Sequence, residues 1–302
     1  MTKSRKFAYL ALLVATIIWG IAPPVIKWTL GFISPINFLF YRFLFASIIV
    51  IIPLFWKIRK LKPSKKDWFW YIFLGFLCTP LNLLLLFFGI QKTTAIDASL
   101  ISITAPFFIF IGGALFLKET VTKTEKIGIG LAIAGTLLTI SQPFFEKGLD
   151  IFKSIEGNIF VFLGTLVWVV FILLAKKHRH LDPIFLSLFS FIVGLIVITP
   201  FVLLKLNSSI TFNFELLTLN SNALWGVLFM VIFSSVIAYS THLYGLSKIE
   251  ASETGIFTYL QPLFAVPISF IFLHEKITVP FLLGAVLIAS GVFFSASRPE
   301  KG

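Results

Sequence analysis

The chain has 302 residues, of which 58% are hydrophobic and only 13% charged, with 37 Phe and a net charge of +12. Soluble domains carry about 25% charge, so this composition excludes a soluble enzyme, a nucleic-acid binder and a disordered chain. The surplus of Lys and Arg fits basic loops beside anionic lipid.

The elements follow from the polar breaks between apolar runs. Met1–Lys6 is basic and precedes the apolar stretch Phe7–Trp19, as in a secretory signal. No small-residue cleavage site follows, and Pro23, Pro24 and Lys27 come next, so an uncleaved first span is expected over 7–30. Further helices are expected over 36–56, 68–90, 95–117, 123–140, 157–175, 183–204, 222–245, 252–273 and 279–296. At about 20 residues per span, ten spans use roughly 200 residues, which the chain can supply. Pro35 and Pro183 suit helix starts, and Thr122 with Glu125 has capping-box spacing. Barrel strands are disfavoured because the runs are apolar on all faces. The fold class expected is therefore an all-α integral membrane protein of ten transmembrane helices.

Ten spans put both termini on one side, and the basic residues follow that division. Eighteen Lys and Arg fall on the side of the N-terminus and six opposite, with Arg42 inside a span. By the positive-inside rule both termini are cytoplasmic. The single cysteine, Cys78, leaves neither an internal disulfide nor a cysteine-based metal cluster.

A repeat organises the chain. Residues 89–141 shifted by 156 lie on 245–297 without a gap, and 13 of the 53 positions are identical, including Gly89, Lys92, Pro106, Glu119, Gly128 and Gly135. Earlier helices match more loosely, as Trp19 with Trp168, Lys27 with Lys176, and Ser34-Pro35 with Asp182-Pro183. Two halves, 1–145 and 146–302, each hold five expected spans. Five is odd, so the second half must enter the membrane upside down. Inverted repeats of this kind mark secondary transporters that bind substrate near the midplane between the halves.

With these residues in view, the sequence resembles an EamA-type permease of the drug/metabolite transporter superfamily. The resemblance rests on Trp19-Gly20, Lys27, Ser34-Pro35, Arg42-Phe43, and the block Ala95, Pro106, Leu117-Lys118-Glu119, Gly128, Gly135. The second half repeats that block as Ala251, Pro262, Leu273-His274-Glu275, Gly284 and Gly291. Ala22-Pro23-Pro24 departs from the family's usual small or polar residues. The resemblance implies ten helices around a central cavity, alternating access, and export of amino acids or related metabolites. Uptake and multidrug export are the alternatives within transporters.

Several residues are candidates for the cavity. Pro106 and Pro262 fall mid-helix, and each would free the carbonyl four residues earlier, at Ser102 and Thr258. Such a carbonyl inside a bilayer must face protein, water or substrate. Trp19, Trp168, Asn82, Tyr239, Tyr259 and Gln261 add aromatic and amide groups to otherwise apolar helices, fitting a pocket with few directional polar contacts or, equally, helix-to-helix glue. Lys27 and Arg42 could attract a carboxylate or phosphate, or could snorkel to the interface. His242 could carry a proton, but no acid partner is evident.

The acids read as structural, Asp97 and Glu253 at helix N-termini and Glu119 and Glu275 beside basic loops. His178, His180 and Asp182 have a metal-like alternation, but Lys176, Lys177 and Arg179 in the same turn repel a cation. Asn207-Ser208-Ser209 is a glycosylation sequon that would face outside. No zinc-protease, nucleophile-elbow or phosphate-loop motif occurs, so a membrane-embedded transferase ranks low, as does a channel. No cofactor or metal is expected. The expected partners are a small-molecule substrate and membrane lipid, with no nucleic acid. The chain is expected as a monomer or homodimer in the bacterial cytoplasmic membrane.

Overall fold

The computed structural model describes residues 3–93, 95–102, 104–119, 123–140, 155–203, 221–273 and 279–296. Among these there is no strand. The helices are α1 (Lys3–Thr29), α2 (Pro35–Leu61), α3 (Lys65–Phe76), α4 (Asn82–Lys92), α5 (Ala95–Ser102), α6 (Ala105–Phe116) and α7 (Lys123–Ile140). They continue as α8 (Ile155–Lys177), α9 (Pro183–Leu203), α10 (Ser221–Phe229), α11 (Tyr239–Lys248), α12 (Ala251–Ile256), α13 (Gln261–Leu273) and α14 (Val279–Ala296). The capping box at Thr122, the acid Glu275 and the sequon at Asn207 lie outside the described residues, as do the side chains of Asp97 and Pro262.

Local sequence explains the tight connections. The Ser34 hydroxyl accepts a hydrogen bond from the Asn37 amide, and Pro35 occupies the first turn of α2, where its missing N–H costs little. Lys62 then turns left-handed at φ 43°, its amide donating to the Ile58 carbonyl. Ser64 and Asp67 form a reciprocal capping box that starts α3 immediately. Asp182 caps α9 by accepting from the Phe185 amide at 2.6 Å, and Lys57 pairs with the same carboxylate at 2.6 Å.

Two expected helices are interrupted rather than merely kinked. The stretch 95–117 divides between Ser102 and Ala105, and 252–273 divides through a 3-10 turn at Phe257–Leu260. Pro106 therefore sits in the first turn of α6, where a proline is well tolerated. The prolines at 106 and 262, expected as kinks in continuous helices, fall just after these divisions. Two π-helical segments, Leu77–Leu81 and Met230–Ala238, join α3 to α4 and α10 to α11. Hydroxyls within them bond nearby carbonyls: Thr79 donates to the Gly75 carbonyl of α3 and the Ser190 carbonyl of α9, and Ser235 donates to the Met230 carbonyl. Such widened turns occur often at functional sites.

Among the described residues, six helical stretches are long and apolar enough to cross a membrane: Lys3–Thr29, Pro35–Leu61, Lys65–Lys92, Glu156–Lys177, Pro183–Leu203 and Ala223–Lys248. Large apolar side chains such as Ile48, Ile52, Phe55 and Trp56 face outward, where a soluble protein would place charge. Inside, α1 packs on α11 and α13, α8 on α4 and α6, and α2 on α9. Close crossings require glycine, as at Gly89 and Gly245. An added Cβ at Gly89 would lie 2.5 Å from a Val161 methyl and 2.9 Å from the Gly157 carbonyl, and one at Gly245 would lie 2.5 Å from Leu12 Cγ.

Candidate functional site

A cavity of about 140 Å³ lies among α1, α4, α5, α8, the π-helical segment Met230–Ala238 and the start of α13. Its centre is an aromatic group. The Trp19 ring meets Trp168 edge-on at 5.5 Å and Tyr239 edge-on at 5.0 Å, and lies tilted against His242 at 4.8 Å. Trp168 in turn meets Tyr239 at 5.9 Å and His242 at 5.5 Å. Edge-to-face packing of this kind adds about 0.5–1.5 kcal/mol per pair beyond burial. Gly20, next to Trp19, lets α1 approach α13 closely, since a Cβ there would sit 2.7 Å from the Gln261 carbonyl oxygen.

Arg42 reaches this cavity from α2 with only 1% of its surface exposed. Its Nε donates to Ser235 Oγ at 2.8 Å and its Nη2 to Ser234 Oγ at 3.1 Å, while Nη1 is buried without a hydrogen-bond partner. The Phe87 ring lies 5.8 Å from Cζ, within cation–π range. Asn82 Nδ2 donates to the Gly164 carbonyl at 2.8 Å, tying α4 to α8, and Ser102 Oγ donates to the Ala98 carbonyl within its own helix. Much of the remaining wall is apolar, with Ile26, Leu83, Leu86 and Ile90.

Of the residues singled out from the sequence, Trp19, Arg42, Asn82, Ser102, Trp168, Tyr239, Thr258 and Gln261 line the cavity together. Others do not. Pro106 faces Gly255 of α12, and Tyr259 is buried against Ile133 and Leu260. The Thr258 carbonyl accepts from the Gln261 amide, so it is not freed by Pro262. Lys27 is engaged elsewhere, its Nζ donating to the carbonyls of Ile90 at 2.9 Å and Thr93 at 2.6 Å. A cation is favoured there because the C-terminal carbonyls of α4 carry the negative end of the helix dipole. Nor does Arg42 snorkel, because serines on a distant helix hold it in the interior. His242 packs against the two tryptophans but leaves Nε2 unpartnered. Thr165 and Ser234 are lining residues that the sequence reading missed. Thr165 carried a signal, since Thr16 and Thr165 repeat at the 149-residue spacing of Trp19 and Trp168.

The bundle's two ends are built differently. At the end of the N-terminus, Arg5 Nη2 meets Glu253 Oε1 at 2.6 Å and the Tyr9 hydroxyl donates to the same oxygen. Beside them the Glu119 carboxylate accepts from the Ala251 amide at 2.8 Å and the Ser252 amide at 3.1 Å, capping α12. Lys176 donates to the Leu246 and Ile249 carbonyls, closing α11 as Lys27 closes α4. At the opposite end Lys92 pairs with Glu156, and the Thr93 hydroxyl donates to Asn158 Oδ1 at 2.6 Å. In the 178–182 turn, His178 stacks on Trp70 at 3.7 Å and His180 lies 3.3 Å from Asp67. Partial burial, then the nearby His180, Lys177 and Lys66, hold His178 below the usual histidine pKa.

The chain matches the EamA-like transporter family at residues 6–141 and again at 155–297. It is 28% identical over 298 residues to an uncharacterized transporter of Archaeoglobus fulgidus, covering 97% of this chain and 98% of that protein. It is 29% identical to the uncharacterized transporter YyaM of Bacillus subtilis, covering 94% and 92%. A solved crystal structure superposes with a TM-score of 0.76 at 14% identity, over 96% of this chain and 98% of that one, and so shares the fold. With its apolar helices and matches along almost its whole length, the chain is a multi-pass membrane protein and belongs to the EamA-like transporter family.

Proposed function

We propose that the protein is a secondary carrier whose two halves, 1–145 and 146–302, are inverted five-helix repeats that expose a shared cavity alternately to either side. In this reading the interrupted pairs α5/α6 and α12/α13 and the π-joined pairs α3/α4 and α10/α11 each make one span, giving ten. The two family matches support the division at about residue 145. So do the paired features: both breaks carry a proline at related positions, and Lys27 and Lys176 cap related helices. Gly89 receives Val161 where Gly245 receives Leu12, so each half supplies a glycine to the other's first helix.

The observation that carries the reading is the contact between Trp19 and Trp168. These repeat-related rings come from different halves and touch edge-on at the cavity wall. A site shared between two bodies changes its access when the bodies rock, whereas a fixed pore needs no such junction. The solute is an amino acid or related organic compound, and export follows from the family resemblance. Both termini lie in the cytoplasm, by the asymmetry of basic residues, with the bacterial cytoplasmic membrane as location.

The test is counterflow in liposomes containing the purified protein, with radiolabelled amino acids and organic acids and with pH gradients imposed or collapsed. Saturable exchange that depends on solute loaded on the far side is expected. Single-channel conductance in a planar bilayer without saturable flux would overturn the reading.

A further inference from the structure

Among the described residues that line the cavity there is one fixed positive charge, Arg42, and no carboxylate to balance it. Arg42 cannot shed its charge, and a buried cation without a counter-ion is unfavourable in apolar surroundings. The side edge of its guanidinium, Nε and Nη2, is bonded to the hydroxyls of Ser235 and Ser234. These groups are neutral, so they orient the fork without neutralising it. The end edge retains Nη1, buried and unpartnered. A planar pair of N–H groups of this geometry is matched by a carboxylate in bidentate contact.

The rest of the cavity selects the other part of the ligand. The Trp19, Trp168 and Tyr239 rings, with Ile26 and Leu86, offer apolar surface and aromatic faces. A zwitterionic amino acid would bring an ammonium group, for which the described lining supplies no carboxylate, only aromatic faces and the dipoles of amides and hydroxyls such as Asn82, Gln261 and Thr165. A cation would be repelled by Arg42, and a dianion would lack a second fixed cation.

Resting on the carrier reading above, we propose that the solute is a net-anionic organic monocarboxylate with an apolar or aromatic body. Its carboxylate pairs with the Arg42 guanidinium and its body lies against Trp19 and Trp168. The cavity thereby decides within the class of amino acids and related organic compounds, in favour of acids lacking a fixed ammonium.

Calorimetric titration of the purified protein in detergent tests this with four ligands of similar ring size: benzoate, phenylalanine, benzylammonium and benzyl alcohol. Benzoate is expected to bind saturably and at least tenfold tighter than the other three. Arg42→Gln should weaken benzoate at least tenfold, and Arg42→Lys less, because lysine keeps the charge while losing the fork. Tighter or equal binding of phenylalanine or benzylammonium, no benzoate binding by folded protein, or unchanged benzoate affinity in Arg42→Gln would overturn the proposal. If Arg42→Gln does not fold, the rank order on the native protein decides, together with thermal stabilisation by benzoate that benzyl alcohol does not reproduce. Counterflow separates the two readings. Exchange of phenylalanine without benzoate leaves the carrier standing and removes the anion site. Arg42-dependent benzoate binding with no exchange of any solute does the reverse.

Discussion

At the end of the bundle that carries the N-terminus, Arg5 and Tyr9 of α1 converge on Glu253 of α12, whose side chain is 4% exposed. At the opposite end Lys92 and Glu156 meet with 42% and 66% of their side chains exposed. The cavity is displaced in the same sense. On α1 its wall begins at Trp19 and runs to Ile26, on α4 it reaches Ile90, and the described residues before Trp19 contribute nothing to it. The N-terminal end is thus sealed by buried, charge-assisted contacts between the proposed halves, and the far end is held by a solvated pair. A carrier caught with one gate shut would be built this way, because buried pairs are strong only while complete and exposed pairs contribute little.

The sharpest way to break that contrast is Glu253→Gln. Removing one partner of the buried pair should destabilise the closed N-terminal end by about 3 kcal/mol. In a Cys78→Ala background carrying Thr16→Cys, alkylation at position 16 should accelerate at least tenfold. Thr16 is buried on α1 between the aromatic group and Arg5 and bonds the Phe257 carbonyl, so it reports on that end directly. An unchanged rate would remove the latch from the account.

Smaller effects sharpen the comparison. Gly89→Ala should lower stability by about 2 kcal/mol and Gly245→Ala by about 1 kcal/mol, both by overpacking. The first is the larger because backbone at Gly157 opposes the new methyl, whereas only the Leu12 side chain opposes it at Gly245. Thermal unfolding in detergent would reveal the order, and a reversal would contradict the crossing geometry. Lys27→Met and Lys176→Met should each cost about 1 kcal/mol through loss of a helix C-terminal cation. Lys27→Met should leave benzoate affinity unchanged in the same calorimetric titration, since its ammonium caps α4 and does not line the cavity. Lys92→Gln should change stability least, by well under about 1 kcal/mol, because its pair is exposed and screened.

Much of this architecture was legible in the sequence, for reasons that differ by residue. Apolar run length marks the long helices, because lipid imposes a minimum span. Trp19 and Trp168 were found through their spacing, since a repeat carries side chains of related role to related places. The prolines at 106 and 262 marked the interrupted helices, but their effect was misjudged. A proline is read as a kink when the helix is assumed to continue, and here α6 restarts at Ala105 with Pro106 in its first turn. The partners of Lys27 were not legible, because a charge near a span end looks free until its neighbours are known, and the carbonyls it meets lie more than sixty residues away. Arg42 was recognised as unusual, but its partners Ser234 and Ser235 belong to a π-helical segment, and a widened turn has no compositional mark.

Alternating exposure of the shared cavity is tested most directly by a cross-linking measurement. In a Cys78→Ala protein with Ser102→Cys in the cavity wall, membrane-impermeant thiol reagents are applied from each side of sealed vesicles. A second set of proteins also carries Arg5→Cys and Glu253→Cys, joined by a short bifunctional maleimide across the N-terminal end. The account predicts labelling of position 102 from either side before cross-linking, and from the far side only afterwards. Labelling from the N-terminal side that persists through the cross-link, or labelling from one side alone in the unlinked protein, would contradict it.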